Sequence, residues 1–142
     1  MENNLIFLPV LMLVLLVLLL YIVLVKAKAR ASKEGNVDEA RRSLHGDAWP
    51  ESVQKVNNCI GNQFEVPVLF YVLVLVIWSV SAVNILVHAL AWLFVLSRFV
   101  HAYIHIGRNH VPHRRAVFSI GCLLLLLLTL FAMSAVAMTG IS

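Results

Sequence analysis

Two sets of polar residues recur in this chain at intervals that suit a helix face. Lys55, Asn58, Asn62 and Glu65 follow one another at spacings of 3, 4 and 3, and Arg98, His101, His105 and Arg108 repeat the same series. Such spacings line side chains along one side of a helix. One set offers a carboxylate and amides, the other guanidinium and imidazole groups. Facing each other, they would form a polar seam able to hold a charged ligand. If the surroundings are lipid, each charge near the bilayer centre costs about 2.5–3.5 kcal/mol even on the lenient insertion scale, so such residues turn inward and pair. The spacing therefore predicts two stripes directed into a helical bundle, with Glu65 paired to Arg98. A plainer role for Asn62, Glu65 and Arg98 is hydrogen-bonded glue between helices.

A second concentration lies at Arg108, His110, His113, Arg114 and Arg115, where a further helix would begin. Free N–H groups and the helix dipole already favour anions at such an end, and the cations extend this to a carboxylate- or phosphate-bearing ligand. Arg114 and Phe118, four residues apart, share one face, so Arg114 is expected to point inward. Arg115 and Arg108 serve equally well as topology signals. His101 and His105, at i and i+4 and near Glu65, have a spacing that metals use, but no HExxH motif accompanies them and no metal is assigned. His88 is expected to hydrogen-bond to a neighbouring helix. Tyr71 and Tyr103 could donate protons, although aromatic packing or interface anchoring is the commoner role.

The elements that must position these groups follow from composition. Of 142 residues, 61% are hydrophobic and 13% charged, far from the half and quarter usual in soluble domains. The chain is an integral membrane protein. Its apolar runs are continuous and lack strand alternation, which favours helices over a barrel. Residues 5–25 form an uncharged run long enough to span. They are read as a retained helix, since no basic segment precedes them and no small-residue cleavage site follows. Cys59 and Cys122 fit no metal spacing or disulfide framework and are read as packing residues. The net charge of +4 arises from basic residues grouped at helix ends, a topology signal, so no nucleic-acid partner is expected.

Between Glu65 and Arg98 lie 32 uncharged residues, 66–97, with one turn near "SVSAVN". Two spans and a turn need roughly 44. The deficit draws Glu65 and Asn62 on one side, and Arg98 and His101 on the other, into the membrane zone. A single domain of residues 1–142 results, with helices over about residues 5–26, 51–79, 83–106 and 114–140. The first and third connections carry every Lys and Arg outside the spans, which puts them on the cytoplasmic side and both chain ends opposite.

The stretches "NCIGNQFEVPVLFY" and "SRFVHAYIHIGRNHVPHRR" resemble the MAPEG family, membrane-associated proteins in eicosanoid and glutathione metabolism. The resemblance covers essentially the whole chain. It rests on Asn-x-x-Glu-x-Pro in the second helix, Arg-x-x-His in the third and Pro-x-Arg opening the fourth. It implies an all-α four-helix protomer assembled as a homotrimer, with glutathione bound between subunits near the cytoplasmic face. Asn62 and Glu65 match the glutathione-binding motif Arg-x-x-x-Asn-x-x-Glu, while Asn58 stands at the arginine position. Arg98 and His101 match family positions. Arg114 falls where several members hold an arginine beside the glutathione sulfur, and Phe118 where some have a tyrosine.

The function this implies is that of a bacterial-type, inner-membrane transferase or peroxidase. It would use glutathione or another thiol on a lipophilic small-molecule substrate drawn from the membrane lipid. Arg114 would be the catalytic residue, with Asn58, Asn62, Glu65, Arg98, His101 and His105 binding the cofactor. The competing expectation is a non-catalytic scaffold that has lost glutathione binding and holds another anionic or lipid ligand.

Overall fold

Each apolar run folds as helix in the computed structural model, which describes residues 3–140. Residues 1, 2, 141 and 142, and with them the two chain ends assigned above to the far side of the membrane, lie outside the described residues. A short 3-10 turn, Asn3–Ile6, leads into α1, Phe7–Lys33; α2 is Glu51–Gln63, α3 Val66–Ser79, α4 Ile85–Ile106 and α5 Val111–Thr139. Helices α2 and α3 form one interrupted span, so four segments are long and apolar enough to cross a bilayer.

The first helix outruns the expected limit near residue 26. Its apolar run ends at Val25, but "KAKARASK" contains good helix formers, and the stop comes at Gly35. There the backbone is left-handed (φ 69°), Gly35 N–H donates to Ser32 O and Asn36 N–H to Ala31 O, the double bond of a Schellman cap. Hydropathy marks where lipid contact ends, not where the helix does.

The interruption at Phe64 and Glu65 has a covalent cause. Pro67 has no N–H to offer the Gln63 carbonyl, so α2 closes with a tight Phe64 N–H to Gly61 O bond and α3 restarts with the proline in its first turn. At the far end Asn84 begins α4 by accepting the Val87 N–H on its side chain at 3.0 Å.

Helix α4 is the centre of the bundle: 56% of its apolar stretch is buried, against 22% for α5. It packs on α5, α1 and α2, while α3 leans on α5. Phe70 and Phe94, both fully buried, stack at 4.8 Å. The buried edge of α5 is Gly121, Leu125, Leu128 and Ala132, spaced 4, 3 and 4. Outward faces carry Leu69, Leu96, Leu123 and Leu130, all more than half exposed; in water such a surface would aggregate, whereas in a bilayer it meets acyl chains.

Residues 34–50 fold as a tied loop. Asp38 N–H donates to Ala48 O, and the Arg41 guanidinium donates to Asp47 at 2.8 Å. That contact holds the Asp47 carboxyl below its ordinary range and the Arg41 guanidinium above its own, in each case chiefly through the hydrogen bond.

Two outcomes follow from this packing. A Cβ at Gly121 would stand 3.2 Å from Ser97 Oγ, so Gly121→Val forces α4 and α5 apart and should cost about 1–3 kcal/mol. Thermal unfolding in detergent should show a lowered midpoint, with Cys122→Val, on the exposed neighbour, unchanged. For the loop, a carboxyl lowered on folding stabilises fully above its unfolded value of about 3.9 and loses that contribution as pH falls through the lowered value. Amide protection factors across residues 38–48, which divide out the intrinsic pH dependence of exchange, should therefore fall in that acid range, and Asp47→Asn should remove this fall.

Candidate functional site

The helix break supplies the first element of the site. The last carbonyls of a helix have no partner within it and carry the negative end of its dipole. Asn62 O, one residue from the end of α2, is such a group, and it accepts from Arg98 Nη2 at 3.3 Å. Arg98 is the bulkiest fully buried side chain among the described residues, 1% exposed. Its guanidinium carbon lies 5.7 Å from the centre of the Phe118 ring, within cation–π range.

Helix α4 directs Arg98, His101 and His105 inward as the spacing predicts, all three buried. Arg108 departs from the stripe, because α4 ends at Ile106 and the residue sits exposed in the following turn. The imidazole of His101 lies 5.7 Å from that of His105 and 5.8 Å from the Phe118 ring. Among the described residues, no side chain or backbone group bonds to Arg98 Nε, either nitrogen of His101, or Nδ1 of His105. Buried donors and acceptors of this kind cost about 1–3 kcal/mol each when unpaired, so the cluster carries unmet hydrogen-bonding capacity inside the bundle.

The second stripe corrects the sequence expectation. Lys55 and Asn62 are half-buried and Asn58 and Glu65 exposed; the face of α2 that enters the core is Val53, Val56, Cys59, Ile60 and Gln63. The expected Glu65–Arg98 ion pair is absent among the described residues. Glu65 is itself part of the break, so the helical interval from Asn62 no longer governs its direction, and Arg98 takes a backbone carbonyl instead. Gln63, 2% exposed, is the polar group that does enter the core, donating to Cys59 O at 3.4 Å. Its place on the apolar 53, 56, 60, 63 series was the available signal.

Asn58, Asn62 and Glu65 nevertheless gather at one place. With Lys55, Gly61, His105, Asn109 and Arg114 they line an open, polar cleft of about 560 Å³. A smaller recess of about 220 Å³ adjoins it, lined by Asn62, His101, Arg114, Arg115 and Phe118. Asn62 and Arg114 border both. Lys55 is held by Glu51 at 2.9 Å.

Arg114 points inward as expected. Its Nη1 donates to Asn109 Oδ1 at 2.6 Å and lies 3.4 Å from His105 Nε2. Asn109 was not foreseen. It occupies the left-handed region (φ 51°), which asparagine tolerates better than most residues. Its placement needs Gly107, where a Cβ would come within 2.9 Å of Tyr103 O.

Other candidates fall away from the clefts. His110 and His113 lie side by side, rings 4.3 Å apart, but are exposed. Tyr103 is 79% exposed and Tyr71 packs against the core. His88 is buried with Nε2 unpartnered among the described residues, not bonded to a neighbouring helix as expected. Cys59 is a buried packing residue, whereas Cys122 faces outward.

No curated protein and no solved structure matches the chain. A family model does, over residues 6–134, a stretch that includes all five helices' inward faces and both clefts. On that match, over nearly the whole chain and every element that builds the site, this four-helix membrane protein belongs to the MAPEG family.

Proposed function

We propose that the protein is a glutathione- or thiol-dependent transferase or peroxidase acting on lipophilic electrophiles, and that it works as a homotrimer. The observation that carries this reading is the fixed guanidinium of Arg114, held by Asn109 and His105 at the junction of the two clefts. The larger cleft, about 560 Å³, lies within the size range of small-ligand sites. Its lining suits a tripeptide with two carboxylates and one amine: Asn58, Asn62 and Lys55 offer donors, and Glu65 offers a carboxylate for an ammonium, the other carboxylate of the lining, Glu51, being held by Lys55 at 2.9 Å.

The chemistry asked of these residues is limited. A free thiol near pKa 8.5 is mostly protonated at neutral pH, and an adjacent guanidinium favours the thiolate. Arg114 would stabilise that anion, and its bond to Asn109 keeps the guanidinium from turning away. The thiolate would attack a lipophilic electrophile arriving from the bilayer. In conjugation a sulfur–carbon bond forms as the displaced group leaves with the bonding pair. In reduction the O–O bond of a hydroperoxide breaks, releasing the alcohol after protonation by water and leaving a sulfenic acid that a second thiol converts to disulfide and water. Phe118 supplies no phenol, so no proton donor stands at that position.

The location proposed is a bacterial inner membrane with the clefts on the cytoplasmic side. The clustering of Lys26, Lys28, Arg30, Lys33, Arg41 and Arg42 in the first connection and Arg108, Arg114 and Arg115 around the third supports that orientation. Exposure of the Asn58 and Glu65 face within one protomer leaves the cleft open on the side where a second copy would complete it.

A second reading, a non-catalytic member that binds another anionic or lipid ligand, draws on Asn58. An asparagine at the family's arginine position gives up a charge-assisted hydrogen bond of about 1.5–3 kcal/mol. The readings separate in a thermal unfolding experiment on the detergent-purified protein. Glutathione at 100 times its dissociation constant should stabilise by about 2.7 kcal/mol, and Asn58→Arg should tighten binding about tenfold or more. No shift at millimolar glutathione would overturn glutathione as the ligand. In the bound state the ultraviolet thiolate band should be present at neutral pH and disappear in Arg114→Ala.

A further inference from the structure

A third cleft, about 420 Å³, opens between the end of α1, the tied loop and α2, where it shares Gln54, Asn57 and Asn58 with the larger cleft. Its walls are held in place. Trp49 Nε1 donates to Arg42 O at 3.3 Å, and Gln54 Nε2 donates to Trp49 O at 2.7 Å. The Lys28 ammonium sits 4.9 Å from the Trp49 ring centre. Arg42, Ser43, His45, Gln54 and Asn57 add donors. The one carboxylate in the lining, Asp47, is already engaged by Arg41 at 2.8 Å. Arg42 is paired with Glu39 at 2.9 Å, but a guanidinium keeps further N–H groups for a second acceptor. Among the described residues Lys28 has no carboxylate partner and rests only on the indole. The cleft is thus a preformed receptor for an anion.

Its depth indicates where the anion comes from. The apolar run of α1 ends at Val25, and Lys28 lies three residues on, about 4.5 Å along the helix axis. That is the level of the headgroups. Within the apolar run of the same helix, Leu18, Tyr21, Ile22 and Val25, with Lys26 at the upper end, line an apolar groove, and Tyr21, Val25 and Lys28 follow one another at helical spacings of 4 and 3. A cationic pocket above a hydrocarbon groove matches a molecule that is anionic at one end and apolar at the other. Leu44, 88% exposed at the edge of the pocket, adds an apolar contact at the same level. Basic pockets at the ends of membrane helices select anionic lipids in this way.

We propose that this cleft seats the headgroup of an anionic phospholipid, its phosphate on the Lys28 ammonium beside Trp49 and an acyl chain along the Leu18, Tyr21 and Val25 groove. The site includes neither Arg114 nor His105, though it borders their cleft through Gln54, Asn57 and Asn58, and it requires no catalytic activity.

Native mass spectrometry and thermal unfolding of the full chain in mild detergent, supplemented with phosphatidylglycerol or phosphatidylcholine, test the assignment. Phosphatidylglycerol should remain bound and raise the midpoint, and phosphatidylcholine should do neither. Lys28→Gln should weaken phosphatidylglycerol about tenfold, Arg42→Gln should weaken it as well, and Lys28→Arg should restore it. Arg30→Gln removes the same charge from the same helix end but from a residue outside the cleft, paired with Glu34, and should leave binding intact. Equal losses in Arg30→Gln and Lys28→Gln would reduce the effect to general surface charge and overturn the proposal. So would equal retention of phosphatidylcholine, or inorganic phosphate alone reproducing the full stabilisation, which would make the ligand a soluble anion.

Discussion

A guanidinium buried in an apolar bundle sets the terms for this structure. Arg98 is 1% exposed, and a lone charge in such surroundings is expensive unless acceptors meet it. Among the described residues it is met by a carbonyl and a ring, not a carboxylate. Asn62 O is available because α2 stops at Gln63, and α2 stops there because Pro67 cannot donate the hydrogen bond that would continue it. Phe118 on α5 contributes its face from the other side. One imino acid in the second span therefore determines how a cation in the third is satisfied, and both determine where the polar stripe opens.

The remaining framework keeps that arrangement in register. Helix α4 lies at the centre and delivers Arg98, His101 and His105 from a single face. Its close approach to α5 depends on Gly121 beside Ser97 and Phe94, and that approach brings Phe118 and Arg114 to the same cluster. The short connection between α4 and α5 is equally constrained. Gly107 has no room for a side chain, and the left-handed backbone at Asn109 turns its amide onto Arg114. A cation fixed by neutral groups keeps its full charge for a ligand, which a carboxylate partner would have quenched.

The polar groups also divide by depth. Arg98, His101 and His105 are buried on α4, with His105 at the inner wall of the larger cleft and His101 at that of the smaller, whereas Asn58, Asn62 and Glu65 border the larger cleft from α2. Next to it along α2, Lys28 and Trp49 with the tied loop form a further polar recess that shares Gln54, Asn57 and Asn58 with the larger cleft. Helix α2 is thus apolar only along the narrow series that touches α1 and α4, and its other faces are given to polar recognition.

Much of this was legible from residue order. Lipid cannot hydrate a backbone, so long uncharged runs had to be helices, and the shortage of uncharged residues between Glu65 and Arg98 drew both into the membrane zone. On α4 an uninterrupted 3.6-residue period made the inward direction of Arg98, His101 and His105 readable from spacing alone. The same spacing failed on α2, where the polar stripe lies toward the cleft and Gln63 enters the core, because an amphipathic helix shows two faces without saying which one its neighbours cover. It failed again at Glu65, because a periodic rule cannot cross a break, and it could not reveal Asn109, whose role depends on a backbone angle. Composition and period by themselves determined the four membrane-crossing helices, the inward stripe of α4 and the inward turn of Arg114. Only the tertiary structure decided which acceptor meets Arg98 and which residues share a cleft, because both depend on distances between helices that no interval along one helix contains.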